Sequence, residues 1–194
     1  MVYRVNKSVN VKTAPATEPI TLDEAKEHLK VYCTADDDYI TALIKAARIY
    51  AETFQNRSYI TQTLELRMDC FPQFIIELMR PPSISVTSIK YIDSNGDTQT
   101  LDASKYTTDF NSYVARITPS YNETWPTTRA VMDAVTVEYI AGYGSASDVP
   151  ETIKQAILLL ITNWYVNREP VIEGTVSKIP WTVDALLNQE KVYT

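Results

Sequence analysis

The sequence has little of what several kinds of functional site require. It contains one histidine, His28, which excludes a metal site built on paired histidines and a relay of several histidines within one chain. Its four glycines, Gly96, Gly142, Gly144 and Gly174, form neither the G-x-x-x-x-G-K-[ST] loop nor the G-x-G-x-x-G turn that binds phosphates. We therefore exclude nucleotide enzymes of those two types.

Cysteines and long apolar runs are equally scarce. Cys33 and Cys70 are too far apart for a C-x-x-C site, and two cysteines in 194 residues fit a reducing compartment. The first twenty residues lack the continuous apolar core of a signal peptide. The longest apolar run, residues 156–161, is far shorter than the roughly 20 residues of a membrane helix. We expect a cytoplasmic protein that does not bind membranes.

The overall composition is that of a folded soluble protein, with 45% hydrophobic and 22% charged residues. The length of 194 residues fits one domain or two small intertwined modules. The chain has 24 acidic and 18 basic residues, a net charge of -6, which argues against charge-driven binding of nucleic acids. DNA could pass near such a protein without being held.

Helical patterns occupy both ends of the chain. Thr21 and Glu24 have the spacing of a capping box and predict a first helix over about 22–30. Apolar residues at spacings of three and four predict helices over about 36–55 and 149–168, and a short one over about 182–189. Residues 156–161 are apolar all round, so the third helix is either central to its own fold or covered by a neighbouring subunit.

The middle of the chain is rich in β-forming residues, and Asn95-Gly96 predicts a tight turn of a hairpin. The predicted strands are 61–68, 74–78, 85–93, 98–101, 113–118 and 134–140. We predict an α+β fold, in which a helical module built from both chain ends carries an inserted antiparallel β module over about 60–141. The predicted domains are an N-terminal arm (1–19), a helical core (20–57 with 148–170), the β module (58–147) and a C-terminal docking segment (171–194).

No catalytic, cofactor or metal site is assigned from the sequence. Asp36, Asp37 and Asp38 offer oxygen ligands for Mg²⁺ or Ca²⁺, but capping of the second helix is the stronger interpretation. His28 has no serine or cysteine partner in a recognisable motif, and no G-x-S-x-G elbow is present. The thirteen tyrosines and three tryptophans favour contact surfaces, although a sugar-binding platform would use the same residue types.

Six segments resemble, in the same order, the head-to-tail connector proteins of long-tailed DNA bacteriophages and related prophages, also called adaptor or head-completion proteins. The segments are ITLDEAKEHLKV (20–31), DDDYITALIKAARIYAETFQNRSYITQT (36–63), PPSISVTSIKYIDSNG (81–96), VTVEYIAGYG (135–144), VPETIKQAILLLITNWYVNRE (149–169) and PWTVDALLNQ (180–189). The arm before Ile20 and the loop over about 102–132 depart from this pattern, so nothing is carried over to them.

The resemblance implies a structural protein without catalysis, made in the cytoplasm of a bacterial host and located at the head-to-tail interface of the virion. It implies a ring of twelve copies beneath the portal protein, with a stopper or tail-completion protein on the opposite face and a central channel through which DNA passes. The alternative function is a protein- or carbohydrate-binding module of the tail that uses the β insertion. An enzyme or processing factor of DNA packaging is a further alternative, and it requires a metal or nucleotide site.

Three sets of residues follow from that expectation. The C-terminal piece of such connectors reaches toward the portal, and we expect a cut after Ile179 to leave a folded chain that no longer joins the portal. The all-round apolar third helix is expected to supply a contact between subunits. The candidates are Trp181, Val183, Leu186 and Leu187 for portal docking, Ile157, Leu158, Leu159 and Trp164 for the subunit interface, and Asp36, Asp37 and Asp38 for the channel wall.

Overall fold

The computed structural model of the chain describes residues 6–167 and 181–193. Helices and strands alternate in blocks along these residues, as the sequence patterns predict. The helices are α1 (Leu22–Leu29), α2 (Asp37–Gln55), α3 (Glu151–Val166) and α4 (Trp181–Asn188). The strands are β1 (Lys7–Thr13), β2 (Gln62–Met68), β3 (Ile76–Glu77), β4 (Ser83–Ile92), β5 (Thr98–Thr100), β6 (Tyr106–Asp109), β7 (Arg116–Pro119) and β8 (Val135–Ala141).

The chain divides into two units. A β unit comprises residues 1–15 and 61–142, and a helical unit comprises residues 16–60 and 143–194. The predicted α+β fold with antiparallel sheets is confirmed. The β unit is not a simple insertion between helices, because it also contains residues 1–15, which precede α1. Strand β1 was not predicted, because its residues were assigned to an N-terminal arm, yet it pairs with β2 throughout its length.

The β unit contains two antiparallel sheets. The larger has the strand order β1-β2-β8-β4-β5, and the smaller has the order β3-β7-β6. Residues of β2 and β8 alternate between buried and less buried positions, which is the pattern of strands with one face on a core. In the central pair Leu64, Leu66 and Met68 lie opposite Tyr139, Val137 and Val135. All six side chains are fully buried.

The predicted hairpin turn at Asn95-Gly96 is present between β4 and β5. Oδ1 of Asp93 accepts the backbone N–H groups of Asn95, Gly96 and Asp97 at 2.9–3.0 Å. Hydrogen bonds from Gln99 and from these amides lower the pKa of Asp93. Gly96 has φ +99°, a conformation that other residues avoid, and an added Cβ would lie 2.5 Å from the guanidinium of Arg129.

The strand predicted over 113–118 is displaced. Tyr113 lies in a loop, β7 begins at Arg116, and β6 was not predicted at all. Strands β6 and β7 have only four residues each and are mutually paired. So short a strand contains too few positions for an alternating pattern to be recognised.

In the helical unit, the four helices share one apolar core. The predicted capping box of α1 is confirmed: Thr21 Oγ1 accepts the N–H of Glu24 at 3.2 Å, and Glu24 accepts the N–H of Thr21 at 2.7 Å. The hydrogen bonds that the Glu24 carboxylate accepts from the backbone N–H and the hydroxyl of Thr21 lower the pKa of Glu24. The fully buried core residues include Ala25, Ile40, Ala47, Ala51, Tyr59, Ile153, Ala156, Ile157, Leu160, Ile161, Val183 and Leu187.

Candidate interaction surfaces

The apolar residues of α3 are mostly covered by the helical unit itself. Of the four subunit-interface candidates, Ile157 is fully buried and Leu158 is buried. Leu159 and Trp164 are half-buried and pack at the margin of the same core. The sequence left two alternatives for α3, a central position in its own fold or a cover supplied by a neighbouring subunit. Packing within its own unit accounts for most of the apolar surface of α3. Leu159 and Trp164 are the two candidates with exposed area.

A row of aromatic side chains extends this margin across the surface of α2 and the last turns of α3. The ring of Tyr50 lies 6.0 Å from that of Trp164 in an edge contact and 6.3 Å from that of Phe54. Tyr39, in the first turn of α2, lies 6.1 Å from Tyr165 in the last turn of α3. Rigid, half-exposed aromatic rings of this kind are enriched in protein–protein interfaces.

Three buried or half-buried charged residues, Arg48, Glu52 and Glu18, form a connected group of ion pairs at the middle of α2. The guanidinium of Arg48 donates to Glu18 at 2.6 and 3.2 Å and to Glu52 at 2.8 Å. The second carboxylate oxygen of Glu52 accepts the backbone N–H of Tyr59 at 2.9 Å. Arg48 and Glu52 are both buried, so each charge depends on the other for compensation.

The C-terminal residues are bound to the end of α2. Gln55 donates to the carbonyl of Leu187 at 2.7 Å, and the N–H of Val192 donates to the carbonyl of Gln55 at 2.9 Å. Arg57 forms an ion pair with Glu190 at 3.1 Å. The ammonium of Lys191 lies 4.1 Å above the ring of Phe54. Helix α4 is therefore an integral part of the helical unit, and removing it should destabilise the fold, contrary to our expectation for a cut after Ile179.

The four portal-docking candidates on α4 have different environments. Val183 and Leu187 are fully buried in the core of their own helical unit, and Leu186 is half-buried against it. Trp181 at the start of the helix is 87% exposed. Trp181 is thus the candidate whose side chain is available to a partner while α4 keeps this position.

The three aspartates at the start of α2 also differ. Asp36 occupies the N-cap position but makes no side-chain capping bond; its carboxylate accepts the hydroxyl of Tyr165 at 2.6 Å. The prediction that Asp36 caps the helix is therefore wrong, because a partner 129 residues away competes for its oxygen. Asp37 forms an ion pair with Lys26 at 2.6 Å, and Asp38 is exposed. Asp37 and Asp38 lie in the first turn, where they complement the helix dipole.

The β unit has a surface cavity of about 450 Å³ with an aromatic wall. The rings of Phe71 and Trp125 are stacked, with centroids 4.9 Å apart and planes inclined by 5°. The indole N–H of Trp125 donates to the carbonyl of Phe74 at 3.2 Å, and the ring of Phe74 is 66% exposed. Pro72, Pro119 and Pro126 complete the apolar lining.

Across residues 6–167 and 181–193, no group of three or more histidine, cysteine or acidic side chains is arranged to hold a metal ion. His28 lies beside a cavity of about 350 Å³ in the helical unit, together with Glu24, Glu27 and Glu151 and the basic residues Lys30 and Lys154. None of the helices in this part of the chain is long and apolar enough to span a membrane.

A sequence model described as "head completion protein" matches residues 18–175. The chain belongs to the head completion protein family. The membership confirms the resemblance that the six ordered segments predicted, and it identifies the chain as a structural adaptor of the head-to-tail junction in a virus particle. A search of curated protein sequences finds no significant match.

Solved structures with the same fold come from the neck and virion of a gene transfer agent particle. The neck of the empty particle, computed with C6 symmetry, matches with a TM-score of 0.80 and 21% identity. The virion of the native particle matches with a TM-score of 0.77 and 20% identity. The neck of the native particle, computed with C12 symmetry, matches with a TM-score of 0.72 and 21% identity. In each case the match covers 96% of both chains.

Proposed function

We propose that this head completion protein is a non-catalytic adaptor that forms a ring of twelve copies between the portal protein and a stopper or tail-completion protein. The observation that carries this proposal is the family match over residues 18–175. The fold is also shared, over nearly the whole chain, with proteins in necks of the gene transfer agent particle that were computed with C6 and C12 symmetry. A ring of this kind needs two different patches on each subunit, one for each neighbour.

The surface of the helical unit offers apolar area for such contacts. Leu159 and Trp164 are half-buried in the single chain, and the aromatic row of Tyr39, Tyr50, Phe54 and Tyr165 continues from them. Covering these rings with a neighbouring subunit would remove apolar area from water without disturbing the core beneath. We therefore place the subunit contact on this margin of α2 and α3.

The charge distribution favours a channel for DNA rather than a DNA-binding surface. The helical unit has fourteen acidic and nine basic residues, whereas the β unit has ten acidic and nine basic ones. Acidic walls repel phosphates and would let DNA slide, whereas basic walls would retain it. Of the predicted channel residues, Asp38 is the one whose side chain is exposed on the single chain.

The proposal is tested by mixing the protein with the portal ring encoded in the same genome and measuring the mass of the complex by native mass spectrometry or light scattering. We expect a stable complex with about one copy for each portal subunit. A portal ring of the same oligomeric state from an unrelated phage is the control. If no complex forms with the cognate portal at high protein concentration, the proposed position in the particle is wrong.

The cavity of the β unit favours a second candidate, a protein- or carbohydrate-binding module. Its wall presents the exposed ring of Phe74 beside the stacked pair of Phe71 and Trp125. The full chain and its Phe74→Ala variant, probed with a glycan array and with purified tail proteins of the same phage, test this candidate. Binding that is lost in the variant would support it, and the absence of binding in both proteins would exclude it.

A further inference from the structure

The five-stranded sheet of the β unit has two edges whose backbone groups are unpaired within the described residues. On one side β1 pairs only with β2, so its outer edge is open along Lys7–Thr13. On the other side β5 covers only Lys90–Ile92 of β4. The first part of β4, Ser83–Ser88, pairs only with β8 and leaves a second open stretch of six residues.

The open stretch of β4 lacks two of the usual protections of a solitary edge. Its sequence, Ser-Ile-Ser-Val-Thr-Ser, contains no charged residue and no proline, which are the residues that normally prevent edge strands from pairing with other chains. It is also rich in β-branched residues. Ile84 within it is 46% exposed, and Val11 on β1 is 44% exposed. Each open edge thus presents one apolar β-branched side chain to solvent.

We propose that β1 of one copy pairs with Ser83–Ser88 of β4 in the next copy, so that the β units of neighbouring subunits form a continuous sheet around the ring. This inference rests on the ring of the proposed function. Ring closure requires each subunit to present one patch and receive a different one, and the two edges of one sheet satisfy this requirement. The seven residues of β1 and the six of β4 have matching lengths, and their pairing would satisfy the open backbone donors and acceptors.

Irregularities at both edges restrict which strand can be accepted. The register shifts between Val11 and Thr13 in β1, and twice in β4, between Ser83 and Ser85 and between Val86 and Ser88. Bulges bend an edge and disfavour pairing with an arbitrary flat strand. Strand β1 contains two lysines, Lys7 and Lys12, and Lys12 forms an ion pair with Glu138 of its own sheet at 2.6 Å. Pairing is therefore expected in the ring, where subunits are held in one register.

Cysteine cross-linking tests the pairing directly. Cys33 and Cys70 are first replaced by serine, and the double variant Val11→Cys with Ile84→Cys is assembled on the cognate portal ring and oxidised. We expect a ladder of disulfide-linked species that extends to the full number of subunits. The matched controls are each single variant and the pair Tyr121→Cys with Ile84→Cys, since Tyr121 is fully exposed but lies on neither edge. These controls should give only background cross-linking.

The outcomes separate this inference from the proposed function. A complex of full mass without a ladder above background would overturn the edge pairing and leave the adaptor ring intact. The absence of any complex with the portal would overturn both. As a second variant, Ile84→Lys places a charge at an exposed position, so the single chain should keep its thermal stability. We expect it to raise the protein concentration needed for assembly by at least about tenfold, and unchanged assembly would also count against the pairing.

Discussion

At the scale of single residues, the most consequential feature is the group of charges around Arg48. Burying a guanidinium and a carboxylate is costly unless each compensates the other, and here Arg48 contacts both Glu18 and Glu52. Glu52 also accepts the N–H of Tyr59, so it ties the end of α2 to the segment that leads into β2. Loss of Arg48 would leave Glu52 buried without its counter-charge.

We therefore predict that Arg48→Ala lowers the free energy of unfolding by about 3–5 kcal/mol. Lys45→Ala, an exposed position on the same helix, is the control and should change it by no more than about 0.5 kcal/mol. Urea denaturation followed by circular dichroism measures both values. Equal stability of the two variants would mean that the buried charges contribute nothing to the fold.

The caps of α1 and α2 show which single-residue contacts can be predicted from the sequence. The capping box of Thr21 and Glu24 was predictable because its two residues are three positions apart and interact locally. The role of Asp36 was not, since its partner Tyr165 comes close only after α2 and α3 have packed. Local interactions can be read from spacing, whereas contacts between distant parts of the chain need the fold.

At the scale of elements, the four helices were predictable because each carries an apolar stripe that reports its buried face. Strand β1 was missed even though Val9 and Val11 alternate with polar residues. It is an edge strand in which no residue is fully buried, so its sequence has only a weak apolar pattern. Helix α4 was predicted in its correct place, but its apolar residues were assigned to a contact with the portal. Its apolar residues Val183 and Leu187 are buried by its own unit instead.

Because α4 completes the helical core, we predict that Leu187→Ala lowers the free energy of unfolding by about 2–5 kcal/mol. The reason is the cavity left by a fully buried side chain. Thr182→Ala, an exposed position on the same helix, is the matched control and should have little effect. The comparison is made by urea denaturation, and an unchanged Leu187→Ala variant would show that α4 does not contribute to the stability of the helical unit.

At the scale of the whole molecule, the proposed docking on a portal requires a part of the chain that is free to contact it. Two of the four docking candidates, Val183 and Leu187, are occupied in holding α4 to its own unit. They could contact a portal only if α4 left this position, at the cost of the core contacts described above. The exposed indole of Trp181 carries no such cost, and tryptophan is among the residue types enriched at the energetically dominant positions of protein interfaces.

We accordingly predict that Trp181→Ala weakens the complex with the cognate portal by about 2 kcal/mol or more, roughly thirtyfold in Kd, without lowering the stability of the free chain. Titration of the portal ring by surface plasmon resonance measures the affinity, and thermal unfolding checks the fold. Tyr121→Ala, an equally exposed aromatic position in the β unit, is the control. If Trp181→Ala retains full affinity, then docking uses another surface or requires α4 to detach.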